Sequence, residues 1–212
     1  MIPVKVCGIT RLPDAQLSVS LGASALGFIF YPPSPRFIPY ENAATIARAL
    51  GDDIAKVGVF VDEEIETVNR VAEIVGLDFV QLHGEEPPEY CRGIERPVIK
   101  AMRIKAGFDP ASLEGYDVHA FLLDAYVEDL QGGTGQTFDW ERFSSRDFRV
   151  PVILAGGLNR ENVLHAIDIL HPIAIDISSG VEQAPGVKDA EKLTQFFQRV
   201  RSTANQEFNI FR

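Results

Sequence analysis

The chain has 212 residues, 46% hydrophobic and 24% charged, a balance that suits one globular domain with a substantial core and requires no second. Its formal charge of −10 repels nucleic acid and anionic lipid surfaces, so neither is an expected partner. The longest apolar runs, at 25–30 and 121–123, have the length of strands and not of membrane spans. Cys7 and Cys91 are the two cysteines; with no signal-peptide pattern over residues 1–10, they predict free thiols in a cytoplasmic protein.

In chain order, residues 4–7 predict a first strand that ends in the thiol of Cys7, with Gly8 removing bulk beside it. Residues 25–30 predict the second strand, and prolines 32, 33 and 35 stiffen the following loop and project Arg36. The third strand, 55–60, leads into a helix over 63–75, where Ile65, Val68, Val71, Ala72 and Val75 recur at helical spacing. A fourth strand, 79–82, runs into His83 and Gly84, and residues 87–93 leave room for only a short helix. The fifth strand, 98–101, and the short helical stretch 109–115 precede a sixth, 120–123, which ends at Asp124. Residues 132–135, Gly-Gly-Thr-Gly, read as a mobile lid, since the lysine and spacing of a P-loop are missing. Strand seven, 152–155, leads to Gly156 and Gly157, then to a helix over 159–170 that Asn159 can cap. Strand eight, 173–177, leads to Ser178, Ser179 and Gly180, and a last helix spans 188–201. The remainder, 202–212, reads as a peripheral tail.

Eight β/α units point to an α/β fold, a single (β/α)8 TIM barrel of near-minimal size over 1–212. An open doubly wound sheet fits less well, because no Gly-x-Gly-x-x-Gly turn follows the first strand. In such a barrel the strand C-termini and the loops after them share one mouth, which makes their polar residues the candidates for chemistry: Cys7, Gln81 with His83, Arg103, Asp124, Asp176, and the loop residues Arg36, Ser178 and Ser179. Cys7 alone would be a small buried hydrophobe, but a strand end opening on the mouth gives a thiol the partial exposure that reactivity needs. Asp124, after an apolar run, is either a loop-capping acceptor or a carboxyl raised in pKa by its surroundings. Paired with Cys7, it would be the acid of an acid/base couple. Lys5, two residues before Cys7, is either a positive neighbour of that thiol or a paired structural lysine. The small residues Gly156, Gly157, Ser178, Ser179 and Gly180 follow strands seven and eight, where such barrels bind phosphate. Arg36 suits a carboxylate or phosphate, and His83 either orients substrate or satisfies a loop hydrogen bond. The scattered histidines and cysteines lack metal-ligand spacing, so no metal is expected.

The ordered set of motifs closely resembles the phosphoribosylanthranilate isomerase family over nearly the whole chain. The matching stretches are Lys5-Val6-Cys7-Gly8-Ile9-Thr10, Ser34-Pro35-Arg36, Gln81-Leu82-His83-Gly84, Leu123-Asp124, Phe138-Asp139-Trp140, Ala155-Gly156-Gly157-Leu158 and Ser178-Ser179-Gly180-Val181-Glu182 with Lys188-Asp189. The resemblance implies an Amadori rearrangement of N-(5-phosphoribosyl)anthranilate in tryptophan biosynthesis, with no cofactor. It implies Asp124 as general acid, Cys7 as general base, the substrate phosphate on loops seven and eight, and Arg36 near the anthranilate end. Asp176 would support substrate or loops. A barrel isomerase of the histidine-pathway type would carry an Asp where this chain has Cys7. A noncatalytic phosphate-ligand sensor would not need the Cys7 and Asp124 pair. Monomer and homodimer remain equally compatible with the sequence.

Overall fold

The computed structural model describes residues 1–104, 110–124, 150–203 and 209–211. The glycine-rich stretch 132–135 and the motif at 138–140 lie outside these residues. Eight parallel strands close in sequence order into a barrel, as the alternation of the sequence predicts. They are β1 (Val4–Cys7), β2 (Ala25–Ile29), β3 (Ala55–Phe60), β4 (Phe79–Leu82), β5 (Val98–Arg103), β6 (Ala120–Asp124), β7 (Val152–Ala155) and β8 (Ala174–Ile177). The ring is sealed where Lys5 of β1 lies opposite Asp176 of β8. Strands covered on both faces read as near-continuous apolar runs, which is why polar residues inside them, such as Lys5 and Gln81, carry information.

Around the barrel lie α1 (Leu12–Leu21), α2 (Tyr40–Leu50), α3 (Ile65–Val75), α4 (Pro88–Cys91), α5 (Val163–Leu170) and α6 (Ala190–Val200), with a 3₁₀ turn over Pro110–Leu113. The two short connections expected around 87–93 and 109–115 are these single turns. In α6, Leu193, Phe196, Phe197 and Val200 form the buried stripe, while the Asp189 side chain accepts from the Glu191 and Lys192 amides and caps the first turn. Helix α5 starts four residues later than the sequence suggests. The Asn159 side chain accepts from the amides of Glu161 and Asn162, so it caps a turn that precedes the helix and not the helix itself.

Among the described residues, the buried apolar side chains form two clusters. One fills the layer between strands and helices. The other, including Ala25, Val57, Phe79, Ile99, Ala120, Ile153 and Ala174, fills the barrel interior and includes Ile210 and Phe211. These last two residues correct the expectation of a peripheral tail. Ile210 and Phe211 are buried, the Phe211 ring meets Phe79 edge-on at 6.0 Å, and the Ile210 carbonyl lies 2.9 Å from His119 Nε2. Too short to show periodicity, the segment still supplies two large apolar side chains to the N-terminal end of the barrel. A second unanticipated feature is a small antiparallel hairpin between β8 and α6, β9 (Glu182–Ala184) with β10 (Val187–Lys188).

Candidate active site

The strand C-termini open into a cavity of about 430 Å³, a size that admits a small metabolite. Cys7, Gln81, Asp124 and Asp176, from β1, β4, β6 and β8, reach it from strand ends, and Arg36, His83, Gly156, Gly157, Ser178 and Ser179 from loops. The structure therefore gathers most of the sequence-predicted residues at one mouth. Lys5 and Gly180 are not part of the lining.

Lys5 is fully buried beneath the mouth, with Nζ 2.9 Å from Asp176 Oδ1. It is thus both the paired lysine and the positive neighbour of the thiol, and the ammonium sits below the residues that face the cavity. Burial pushes the Cys7 thiol up from its ordinary value, and the Lys5 charge and hydrogen bond oppose that rise. Burial also pushes the Asp176 carboxyl up, against the pull of Lys5. Lys5 itself is raised: burial opposes its charge, but Asp176 and Cys7 outweigh it, which keeps the ammonium. The space for the thiol comes from Gly27 on the neighbouring strand and not from Gly8, whose missing β-carbon is occupied by Arg36 and Ser178.

Arg36 is held. Its Nε and Nη2 donate to Glu182, the latter at 2.6 Å, and Glu182 also accepts from Lys188 Nζ at 2.9 Å. Burial alone would raise the Glu182 carboxyl, but the hydrogen bonds from Arg36 and Lys188 outweigh it and hold it below the usual carboxylate range. Lys188 Nζ also donates to the Cys7 carbonyl at 2.6 Å, so the β9–β10 hairpin grips the backbone of the thiol and the guanidinium together. Sequence reasoning assigned no role to Glu182 or Lys188. Both stand in the stretches that match the family, after the eighth strand, and their charge there was the further signal.

On the opposite side, Asp124 Oδ2 lies 3.2 Å from His83 Nε2, and His83 Nδ1 lies 3.0 Å from Gln81 Nε2. The Asp124 side chain is 28% exposed. The loop of His83 is fastened from below by Glu86, which accepts from the amides of Asp62 and Gly84 and pairs with buried Lys100 at 2.8 Å. Gly180 acts through packing: a β-carbon there would strike the Leu158 carbonyl, so its absence lets the loop after β8 lie against the loop after β7.

A closed parallel barrel with its polar strand ends gathered at one mouth has the build of a (β/α)8-barrel enzyme. The chain belongs to the N-(5'-phosphoribosyl)anthranilate isomerase family, whose sequence model matches residues 4–199. It is 47% identical over 209 residues to the N-(5'-phosphoribosyl)anthranilate isomerase of Pelobacter propionicus, covering 97% of this chain and 99% of that protein. It is similar to the crystal structure of phosphoribosyl anthranilate isomerase from Thermotoga maritima, with a TM-score of 0.83, 44% identity, and coverage of 96% of this chain and 100% of that one. A crystal structure of such an isomerase in complex with reduced 1-(o-carboxyphenylamino)-1-deoxyribulose 5-phosphate aligns with a TM-score of 0.81 and 41% identity, over 96% of this chain and 100% of that one.

Proposed function

We propose that this barrel performs the isomerisation for which its family is named, a step of tryptophan biosynthesis, with Cys7 as the base and Asp124 as the acid. Asp124 gives its proton to the ribose ring oxygen while the lone pair of the anthranilate nitrogen breaks the C1–O bond, leaving an open-chain Schiff base. The thiolate of Cys7, which the Lys5 charge favours against burial, then takes the proton from C2, and the electron pair of that bond moves to give the enolamine. Protonation at C1, with loss of the hydroxyl proton from the C2 oxygen as the C=O bond forms, completes the aminoketose. The electrons rearrange within one molecule, so the scheme needs no redox partner and no cofactor.

The observation that carries this reading is the position of the two groups: a thiol and a carboxyl end different strands of one barrel and line the same cavity. Glu182 takes the Nε and Nη2 edge of Arg36, which leaves the Nη1 side for the carboxylate of the anthranilate ring. The loops after β7 and β8 are assigned to the sugar phosphate, with Gly156, Gly157, Ser178 and Ser179 at the cavity and Gly180 letting the loops meet. The relative with a bound reduced product analogue supports a phosphosugar ligand that also bears a carboxyphenyl group. Free Cys7 and Cys91 are compatible with work in the cytoplasm, as a monomer or homodimer.

The test is turnover of freshly generated phosphoribosylanthranilate, followed by loss of its fluorescence, in wild type, Cys7→Ser and Asp124→Asn, with folding checked by circular dichroism. Each substitution is expected to lower kcat by about 10²-fold or more. Activity surviving both would move the chemistry to other residues.

A further inference from the structure

Among the described residues, two buried side-chain polar atoms have no hydrogen-bond partner, Gln81 Oε1 and Ser178 Oγ. Both residues line the cavity. Folded proteins pair nearly all such atoms, and an unpaired carbonyl oxygen beside a cavity is stabilised by whatever donor enters that cavity. Gln81 is the more constrained of the two. The residue is 1% exposed, and its amide nitrogen is committed to His83 Nδ1 at 3.0 Å.

With the amide in this orientation, a chain of hydrogen bonds through a neutral His83 has one direction. Gln81 Nε2 donates to Nδ1, so the proton of a neutral His83 ring sits on Nε2 and is donated to Asp124 Oδ2. The other carboxyl oxygen, Oδ1, is then the one left to carry a transferable proton. Turning the amide over would place an NH₂ group, with two protons to satisfy, where the oxygen now finds no partner.

We propose that Gln81 is a substrate-binding residue whose Oε1 accepts a hydrogen bond from a hydroxyl of the sugar, and that through His83 the same amide positions Asp124. An oxygen that only accepts requires a donor. The rim holds the groups suited to phosphate and carboxylate, so the part of the substrate over the barrel floor is the sugar chain, whose donors there are hydroxyls. The incoming hydroxyl polarises the amide and strengthens its donation to His83, which links occupancy of the site to alignment of the acid. The positioning half rests on the reading of Asp124 as the acid; the hydroxyl contact does not.

The experiment measures binding of the reduced product analogue by calorimetry, beside inorganic phosphate and anthranilate, which lack the sugar. Gln81→Met keeps the side-chain length and removes the oxygen. It is expected to weaken the analogue about tenfold, the worth of one hydrogen bond, and to leave phosphate and anthranilate unchanged. His83→Asn keeps the Gln81 oxygen; it is expected to lower kcat about tenfold or more with little change in analogue affinity. Analogue binding to Gln81→Met at wild-type strength, or an equal loss for phosphate, overturns the hydroxyl contact. Wild-type kcat in His83→Asn overturns the positioning role. Should Gln81→Met fail to fold, a crystal structure of the wild-type complex decides: a sugar oxygen within about 3.2 Å of Oε1 is required, and its absence refutes the contact. Full turnover by Asp124→Asn would instead remove the acid assignment while leaving the binding result to stand by itself.

Discussion

A β-carbon on Gly27 would lie 2.7 Å from Cys7 Sγ and 3.2 Å from Lys5 Cε, so the thiol occupies the volume that any side chain on the neighbouring strand would claim. Strand β2 therefore shapes the base of the site although it contributes no reactive group.

Gly27→Ala is expected to displace the thiol, lower turnover, and destabilise the fold by about 1–3 kcal/mol through overpacking. Paired measurements of kcat and melting temperature check this. A variant with both values unchanged would show that Cys7 has space to retreat.

The folded state holds the Cys7 proton more tightly than the unfolded chain does, because burial outweighs the opposing pull of Lys5. Its contribution to stability is complete below the ordinary thiol value of 9.0 and is lost as pH rises beyond it. Cys91 is shifted upward by burial as well, and burial next to Glu86 pushes Tyr90 up to about 12. The melting temperature should accordingly fall from about pH 9 upward, and less steeply in Cys7→Ser. In Lys5→Met the thiolate absorbance of Cys7, followed in a Cys91→Ser background, should appear at still higher pH. An unmoved titration would remove Lys5 as the modulator.

Glu182 shows the opposite sign. Arg36 and Lys188 hold its carboxyl below the ordinary range despite burial, so its stabilisation is present at neutral pH and is lost as pH falls through the depressed value. Glu182→Gln leaves Lys188 buried without its counter-charge and should cost about 3 kcal/mol. It should also release Arg36 and raise KM more than it lowers kcat. Denaturant midpoints at several acidic pH values, with steady-state kinetics at neutral pH, test both parts. An unchanged KM would show that Arg36 is aimed without Glu182.

Phe211 is 4% exposed and rests on Phe79. Phe211→Ala should destabilise the protein by about 3 kcal/mol while leaving KM unaltered, since the residue lies at the other end of the barrel from the cavity. Urea denaturation gives the first quantity and steady-state kinetics the second.

The barrel and the position of its mouth were legible because both follow from local patterns. Apolar runs alternate with helical spacing, and Cys7 and Asp124 each stand at the end of such a run. Arg36 and Glu182 are 146 residues apart, and no periodicity announces a partner at that range, so an ion pair of the guanidinium could be weighed but its carboxylate could not be named. The start of α5 was misplaced for a different reason: an asparagine satisfies a turn by the same hydrogen bonds with which it caps a helix. Gly8 was credited with the space beside the thiol because it is adjacent in sequence, whereas the space is made across the sheet by Gly27. Ile210 and Phe211 form too short an apolar segment for any pattern to distinguish a core plug from a loose end.

Lys5 and Asp176 are separated by 171 positions, which orders events during synthesis. The ribosome releases the lysine early and its carboxylate late, so the pair cannot form until nearly the whole chain has been made. Without β8, strand β1 would have an unpaired edge, and such edges invite wrong pairing. The pairing of β1 with β8 that closes the ring is also the one that brings Asp176 to Lys5, beneath Cys7. One seam thus removes the edge of the sheet and sets the charge beneath the thiol.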